Sequence, residues 1–493
     1  MTQSWYHIAV IGTDLSGLIF AALAARQGYR VVVIGQGDQK NAYKHKGFWF
    51  LRRLEHFLGF GTSPAVQKVF GELSLGLEMK NRPQAIETLQ IAMPRMRLDL
   101  GGARRLWERD CERELPGGLP VLDRLDTRLH HITELTDPAL GVDEGHTLRP
   151  DVDLDHDPLA ELHDYHGVHG TTDPRLRAVV EAPLVHLAGL LSEAPDPIAT
   201  ARLWTHLRAG IHRFPGGIDG LKQVFVKKIR DQASDVRTDA YASSFVMRRG
   251  KIVAIELAER SESIGCELVV GNVDPRRLIG LVPPEHRAES WHASLVAMNP
   301  IGWRMQVNVG VDPRVLPAGM GPELVWVGDP RGRLRGDNCL WISRPGIGPH
   351  ASGDNRPSPG VVQLSALVEA RSVSPTLPAL QRTASSSLNA LRLLVPWLDD
   401  HLKVVDVPGL VDHPEGPHID TDALAPVYGQ ALSDTLGSSA FAATTPYKNL
   451  VFASDQRYAG LGFEGTCLGA LHTLHLVRDK VRLHRGIRDR VLG

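Results

Sequence analysis

Two glycines five residues apart, Gly12 and Gly17, stand where a short apolar run ends and a helical stretch begins. In the pattern G-x-G-x-x-G between a strand and a helix, the first glycine makes a tight turn and the second lets backbone approach a pyrophosphate. The third packs helix on strand, and the helix N-terminus faces the phosphate charge. Here the stretch is Gly12-Thr13-Asp14-Leu15-Ser16-Gly17, so the outer glycines are present and Asp14 stands at the middle one. A carboxylate about 5 Å from a pyrophosphate, at an effective dielectric near 20, costs roughly 3 kcal/mol. Asp14 also falls at the helix N-cap, where its side chain is expected to hold the first amides and to substitute for the phosphate. An acid at the end of the next strand would bind ribose hydroxyls, and that position is Gly35.

Other residues suggest weaker chemistry. His156, His163, His166 and His169 lie among Asp151, Asp153, Asp155, Asp157 and Asp164, and two histidines one helical turn apart suit a divalent metal. A solvated polar loop is the plainer reading, which Gly167 and Gly170 favour. Cys467 lies near a helix start, where thiols ionise more readily, yet a buried small hydrophobe is the more common role. Trp5, Trp49, Trp107, Trp204 and Trp303 are scattered and read mainly as core. No nucleophile, base or metal cluster has a recognisable spacing.

The elements that position these residues follow from periodicity. The run at 7–11 is a strand, Leu15 onward a helix closed by Gly28, and Val31–Ile34 a strand buried on both faces. That is a βαβ opening of a parallel sheet. Helical patterns dominate from about 47 to 122, a polar stretch covers 125–175, and one or two core helices follow. Strands recur from 236 to 274 and from 300 to 370, then a helix near 377–395 and a closing strand-turn-helix unit. We expect an α/β fold: a Rossmann-type domain with a parallel sheet, from 1–75, 205–290 and 415–493, interwoven with an α+β substrate domain from 76–204 and 291–414.

With 493 residues the chain exceeds what one core supports. A net charge of -1 leaves no electrostatic footprint for nucleic acid. Four dispersed cysteines and the absence of a basic leader or a long apolar run suggest a cytoplasmic protein, peripheral to a membrane at most. The basic tail at 478–493 is the segment that would touch anionic lipid.

Four segments in order resemble the phytoene desaturase-like branch of the FAD-dependent amine oxidase superfamily. They are the βαβ opening, Phe214-Pro215-Gly216-Gly217, the strand ending Gly271-Asn272-Val273-Asp274-Pro275, and the closing unit with Asp455 and Gly460-Leu461-Gly462-Phe463-Glu464-Gly465. The resemblance covers most of the chain and implies FAD. It places the pyrophosphate near Gly12, Thr13, Asp14 and Gly17, the ribose near Gly35 and the ribityl phosphate near Asp455. The flavin ring would face Gly462, Phe463 and Gly465. Departures are Gly35, Gln36-Gly37-Asp38-Gln39-Lys40 in place of an arginine with paired glycines, and Ser454 and Ala459 in the closing turn. Two functions are compatible with it. One is an FAD-dependent oxidoreductase that desaturates, isomerises or oxidises an apolar small molecule, in which the flavin carries the hydride chemistry. The other is a flavin-free descendant acting as a binding protein, as the Rab GDP-dissociation inhibitors do.

Overall fold

The computed structural model describes residues 4–37, 40–86, 88–101, 104–140, 159–166, 170–188, 197–258, 262–297, 300–345, 359–370, 375–411, 413–414, 416–421, 423–427, 445–453, 458 and 460–481. Two sheets organise it.

The first sheet has seven strands. Trp5–Ile11 pairs in parallel with Val31–Ile34 on one side and Ser263–Gly271 on the other. Asp235–Arg237 and Leu450–Phe452 extend the parallel part, and the hairpin Ala242–Arg248/Lys251–Leu257 adds an antiparallel edge. Alternate residues face opposite sides and both sides are covered. Ile8, Val10, Val31 and Val33 pack on one side, and Ala9, Ile11, Val32 and Ile34 on the other. This is why these strands show continuous rather than alternating apolar sequence. The first helix, Leu15–Arg26, lies between Gly217–Arg230 and the closing helix Gly462–Lys480. Every residue from Leu15 to Ala25 is buried, as a helix apolar on all sides requires.

The second sheet has eight strands, in the order Leu402–Asp406, Gly302–Val311, Val361–Glu369, Cys339–Ser343, Glu323–Val327, Thr88–Met93, Met96–Gly101, with Ala425–Val427 also pairing Gly302–Val311. Its outer face packs on the helix Leu377–Leu394. Part of its inner face meets the helices Pro174–Ala188 and Pro197–Ala209. The strands Thr88–Met93 and Met96–Gly101 correct the helical expectation for 47–122, as do Phe48–Leu51 and Gln84–Ile86. Pro94 and Arg95, the latter at φ 65, make the tight turn that joins the two longer strands.

Candidate functional site

The glycine loop sits at the carboxyl edge of the first sheet, the edge at which open α/β sheets bind ligands. Gly12 has φ 110, and a Cβ there would lie 2.1 Å from the Asn272 carbonyl oxygen. At Gly17 a Cβ would lie 2.2 Å from Asn272 Oδ1. Asn272 is itself fixed, its Nδ2 donating to Ser16 Oγ and to the Ala453 carbonyl. Both glycines are therefore required by contact with the neighbouring strand end, whatever else they serve.

Thr13 is buried and Asp14 exposed. Asp14 is the N-cap with φ -66 and ψ 159, but its carboxylate makes no cap hydrogen bond. The expected mimicry of a phosphate is thus corrected: the side chain is turned to solvent, and the first helical bond is Leu18 N–H to the Asp14 carbonyl at 3.1 Å. The helix dipole remains directed at the loop. In water the repulsion between Asp14 and a phosphate charge about 5 Å away falls to about 1 kcal/mol.

The ribose position is different. A Cβ at Gly35 would lie 1.9 Å from the Thr238 carbonyl oxygen, so the strand Val31–Ile34 admits no acidic residue there. Gln36, at φ 55, is engaged by Ala242, whose N–H donates to Gln36 Oε1 at 2.7 Å. Gln36 Nε2 returns a bond to the Ala242 carbonyl at 3.3 Å. Backbone from 238 to 242 thus occupies the place of the missing acid.

At the closing helix Gly462 has φ 56, and a Cβ on Gly465 would lie 2.0 Å from the Tyr458 carbonyl oxygen. Phe463 is buried against Phe57 and Phe60, ring centroids 5.4 and 5.1 Å away. Asp455 lies outside the described residues. Between these glycines sits a residue that the sequence reading did not single out. Glu464 is buried and accepts from Arg202 Nε and Nη2, both at 2.6 Å, and from Ser63 Oγ at 2.6 Å. His206 Nε2 stands 3.4 Å away. Burial alone would raise the Glu464 carboxyl, but Arg202 and His206 beside it hold it well below the usual carboxylate range. The signal was Arg202 and His206 themselves, one helical turn apart on one face.

The turn at Phe214-Pro-Gly-Gly ties the two sheets. A Cβ on Gly217 would lie 2.2 Å from Glu55 Oε2, and Glu55 Oε1 accepts from the Ile218 N–H at 2.9 Å and from Asn41 Nδ2 at 2.6 Å. Asp219 accepts from the Asn41 N–H at 2.9 Å. Asn41 leads into the hairpin Ala42–His45/Phe48–Leu51, turned by Lys46 and Gly47, both at positive φ. That hairpin lies on the inner face of the second sheet: the Leu51 carbonyl accepts from Asn308 Nδ2 at 3.1 Å and Gln363 Nε2 at 2.8 Å.

The inner face beneath it is polar. Across three strands Asn308 opposes Gln363 and Gln363 opposes Ser343, while Gln306 opposes Ser365 and Ser365 opposes Trp341. Ser343 opposes Glu323 on the next strand. Glu323 accepts from Trp341 Nε1 at 2.6 Å, Ser343 Oγ at 3.0 Å and Arg213, and His56 Nε2 lies 3.2 Å away. Against the effect of burial, Arg213 and His56 hold the Glu323 carboxyl down at about 2. Beside this satisfied group, Gln306 Nε2, Ser365 Oγ, Gln363 Oε1 and His186 Nε2 are buried without a hydrogen-bond partner. His186 is held neutral, first by burial and then by Arg304 and His56.

Residues 10–73 match the NAD(P)-binding Rossmann-like domain family. No curated protein sequence matches the chain. Among solved structures, an oxidoreductase from Methanosarcina mazei is similar at 14% identity, with 95% of this chain and 100% of that one covered and a TM-score of 0.59. Cyclohexylamine oxidase from Brevibacterium oxydans is similar at 14% identity, 96% and 99% coverage and a TM-score of 0.53. The chain has the amine oxidase fold. A Rab GDI from Plasmodium falciparum is also similar, at 11% identity, 98% and 100% coverage and a TM-score of 0.52, so the fold spans an oxidase and a protein of another kind.

Within the amine oxidase fold the residues present fit a dinucleotide at the phosphate end, where Gly12, Thr13 and Gly17 surround an uncapped helix start. At the ribose end no side chain replaces the acid. Of the histidine and aspartate cluster, 151–158 and 167–169 lie outside the described residues, and among the described residues no group of three or more His, Cys, Asp or Glu is placed to hold a metal. Cys467 is buried in the first core. Trp107, Trp204 and Trp303 are buried too, whereas Trp5 is 47% exposed. The basic tail from 482 lies outside the described residues, and among those described no helix is long and apolar enough to cross a membrane.

Proposed function

We propose that this chain is an FAD-dependent oxidoreductase of the amine oxidase type that oxidises a small molecule. The observation that carries the reading is convergence. The loop at Gly12–Gly17, the start of the closing helix at Gly462–Gly465 and the aromatic residues Phe57 and Phe60 fall on one side of the first sheet, and the buried polar face of the second sheet adjoins them through His56. A flavin held there would supply the hydride chemistry, and the protein would bind, orient and exclude water. The helix start would favour negative charge on a reduced ring. Likeness to an oxidoreductase and to a cyclohexylamine oxidase over nearly the whole chain supports this reading.

The test is a visible absorption spectrum of the purified protein, repeated after incubation with excess FAD and gel filtration. Stoichiometric flavin bands are the expected result. A protein that stays colourless would sink the oxidoreductase and leave the flavin-free binding protein, for which the closed ribose position at Gly35 speaks.

A further inference from the structure

The inner face of the second sheet holds a cation without a counter-ion. Among the described residues Arg304 has no carboxylate in ion-pair range, and its guanidinium donates to the His186 carbonyl at 2.8 Å. Glu323, on the same face, is already taken by Arg213, His56, Trp341 and Ser343. Burial and the nearby Arg53 press on the charge of Arg304 and lower its pKa to about 10. Next to Arg304 along its strand comes Gln306 on the same face, then Ser365 across from Gln306. Gln306 is 4% exposed, Ser365 0% and His186 1%, and each carries a buried polar atom with no partner. A buried unpartnered donor costs about 1–3 kcal/mol, and several together with an unpaired guanidinium make a site that an anion would complete.

We propose that Arg304, Gln306, Ser365 and His186 form the recognition site for a carboxylate group of the substrate. Trp341, 0% exposed, is packed by His56 and His186 with ring centroids 4.3 and 5.3 Å away and closes that side of the site. This adds an anionic group to the apolar small molecule expected from the sequence. It rests on the oxidoreductase reading for the word substrate, but the anion site stands or falls by itself.

Equilibrium dialysis of benzoate, benzyl alcohol and benzylamine against the full-length protein tests it, with the flavin absorbance of each sample recorded alongside. Benzoate should bind saturably and the other two should not. Arg304→Met should weaken benzoate roughly tenfold or more, the usual size of a lost charge-assisted hydrogen bond. Ser365→Ala should weaken it several-fold while the protein remains folded, which guards against a collapsed Arg304 variant. Absence of benzoate binding, equal binding by Arg304→Met, or binding of benzylamine in its place would overturn the proposal. A colourless protein that still binds benzoate leaves the anion site standing and removes the oxidoreductase, whereas a yellow protein that ignores benzoate does the reverse.

Discussion

The glycine-marked edge of the first sheet and the inner face of the second sheet differ in what packing explains. At the first, Gly12, Gly17, Gly35 and Gly465 each have a neighbour that would clash with a Cβ. Glu464 in the closing turn has its partners as well, and the buried polar atoms left open beside these groups are Asn272 Oδ1 and His206 Nε2. At the second, the side chains are as buried, yet Gln306, Ser365, Gln363 and His186 carry unanswered polar atoms. A feature accounted for by its own fold is weak evidence of a ligand, and a buried polar group left open is stronger evidence. The motif glycines are therefore accounted for by the scaffold first, and Asn272 Oδ1 beside them, like the more numerous open groups of the second sheet, is what awaits a partner.

The largest effect should come from breaking the satisfied side. Arg202→Met leaves Glu464 buried without its bidentate partner, which typically costs about 3–5 kcal/mol. A large fall in the urea midpoint at neutral pH is expected. A shift within error would mean that the motif edge does not depend on this pair.

Glu55 joins the two regions and gives a pH signature. Burial raises its carboxyl to about 7, against the bonds from Ile218 and Asn41. A carboxyl whose pKa is higher folded than unfolded binds a proton that the unfolded chain releases, so stability falls as pH rises from about 4.5 to 7. The loss is up to roughly 3 kcal/mol over that window. Glu55→Gln should remove this slope, which urea midpoints across the window would read directly.

Gly35→Ala probes the closed ribose position. Its Cβ would meet the Thr238 backbone, and overpacking of this kind costs about 1–3 kcal/mol. Gly61→Ala is the control: like Gly35 it does not stand at positive φ, and no atom lies within 4 Å of its added Cβ. If Gly35→Ala costs no more than Gly61→Ala, the backbone at 238 yields easily and the ribose position is open.

These contrasts explain what the sequence showed and what it hid. The βαβ opening was legible because turn and packing demands at Gly12, Gly17 and Val31–Ile34 are local. The hairpin Thr88–Met93/Met96–Gly101 was hidden in a region of helical pattern, its strands short and its turn made by Pro94 and Arg95. The polar face could not be read at all. Gln306, Ser365, Trp341 and Glu323 come from four strands and become neighbours only through register. Glu464 was concealed differently, inside a glycine motif, with its partner Arg202 262 residues away in sequence.

On the open side, substitution should do the opposite of damage. Ser365→Ala removes a buried hydroxyl that has no partner, so stability should hold or rise by up to about 1 kcal/mol. A loss above about 1 kcal/mol in the urea midpoint would show that the hydroxyl is satisfied and that this face resembles the motif edge after all.

The smallest effect belongs to Asp14→Gly, and its size separates two accounts of the loop. A carboxylate capping the helix would cost about 1 kcal/mol to remove. Because Asp14 makes no cap bond, only a few tenths should be lost, mostly from the flexibility of glycine. Any gain in FAD affinity should be modest too. An exposed carboxylate repels a phosphate by about 1 kcal/mol in water, which corresponds to roughly a fivefold change in Kd. A hundredfold tightening in a fluorescence titration would mean that Asp14 turns inward when the nucleotide arrives. The loop would then join the second sheet as a place where a charged group waits on its ligand.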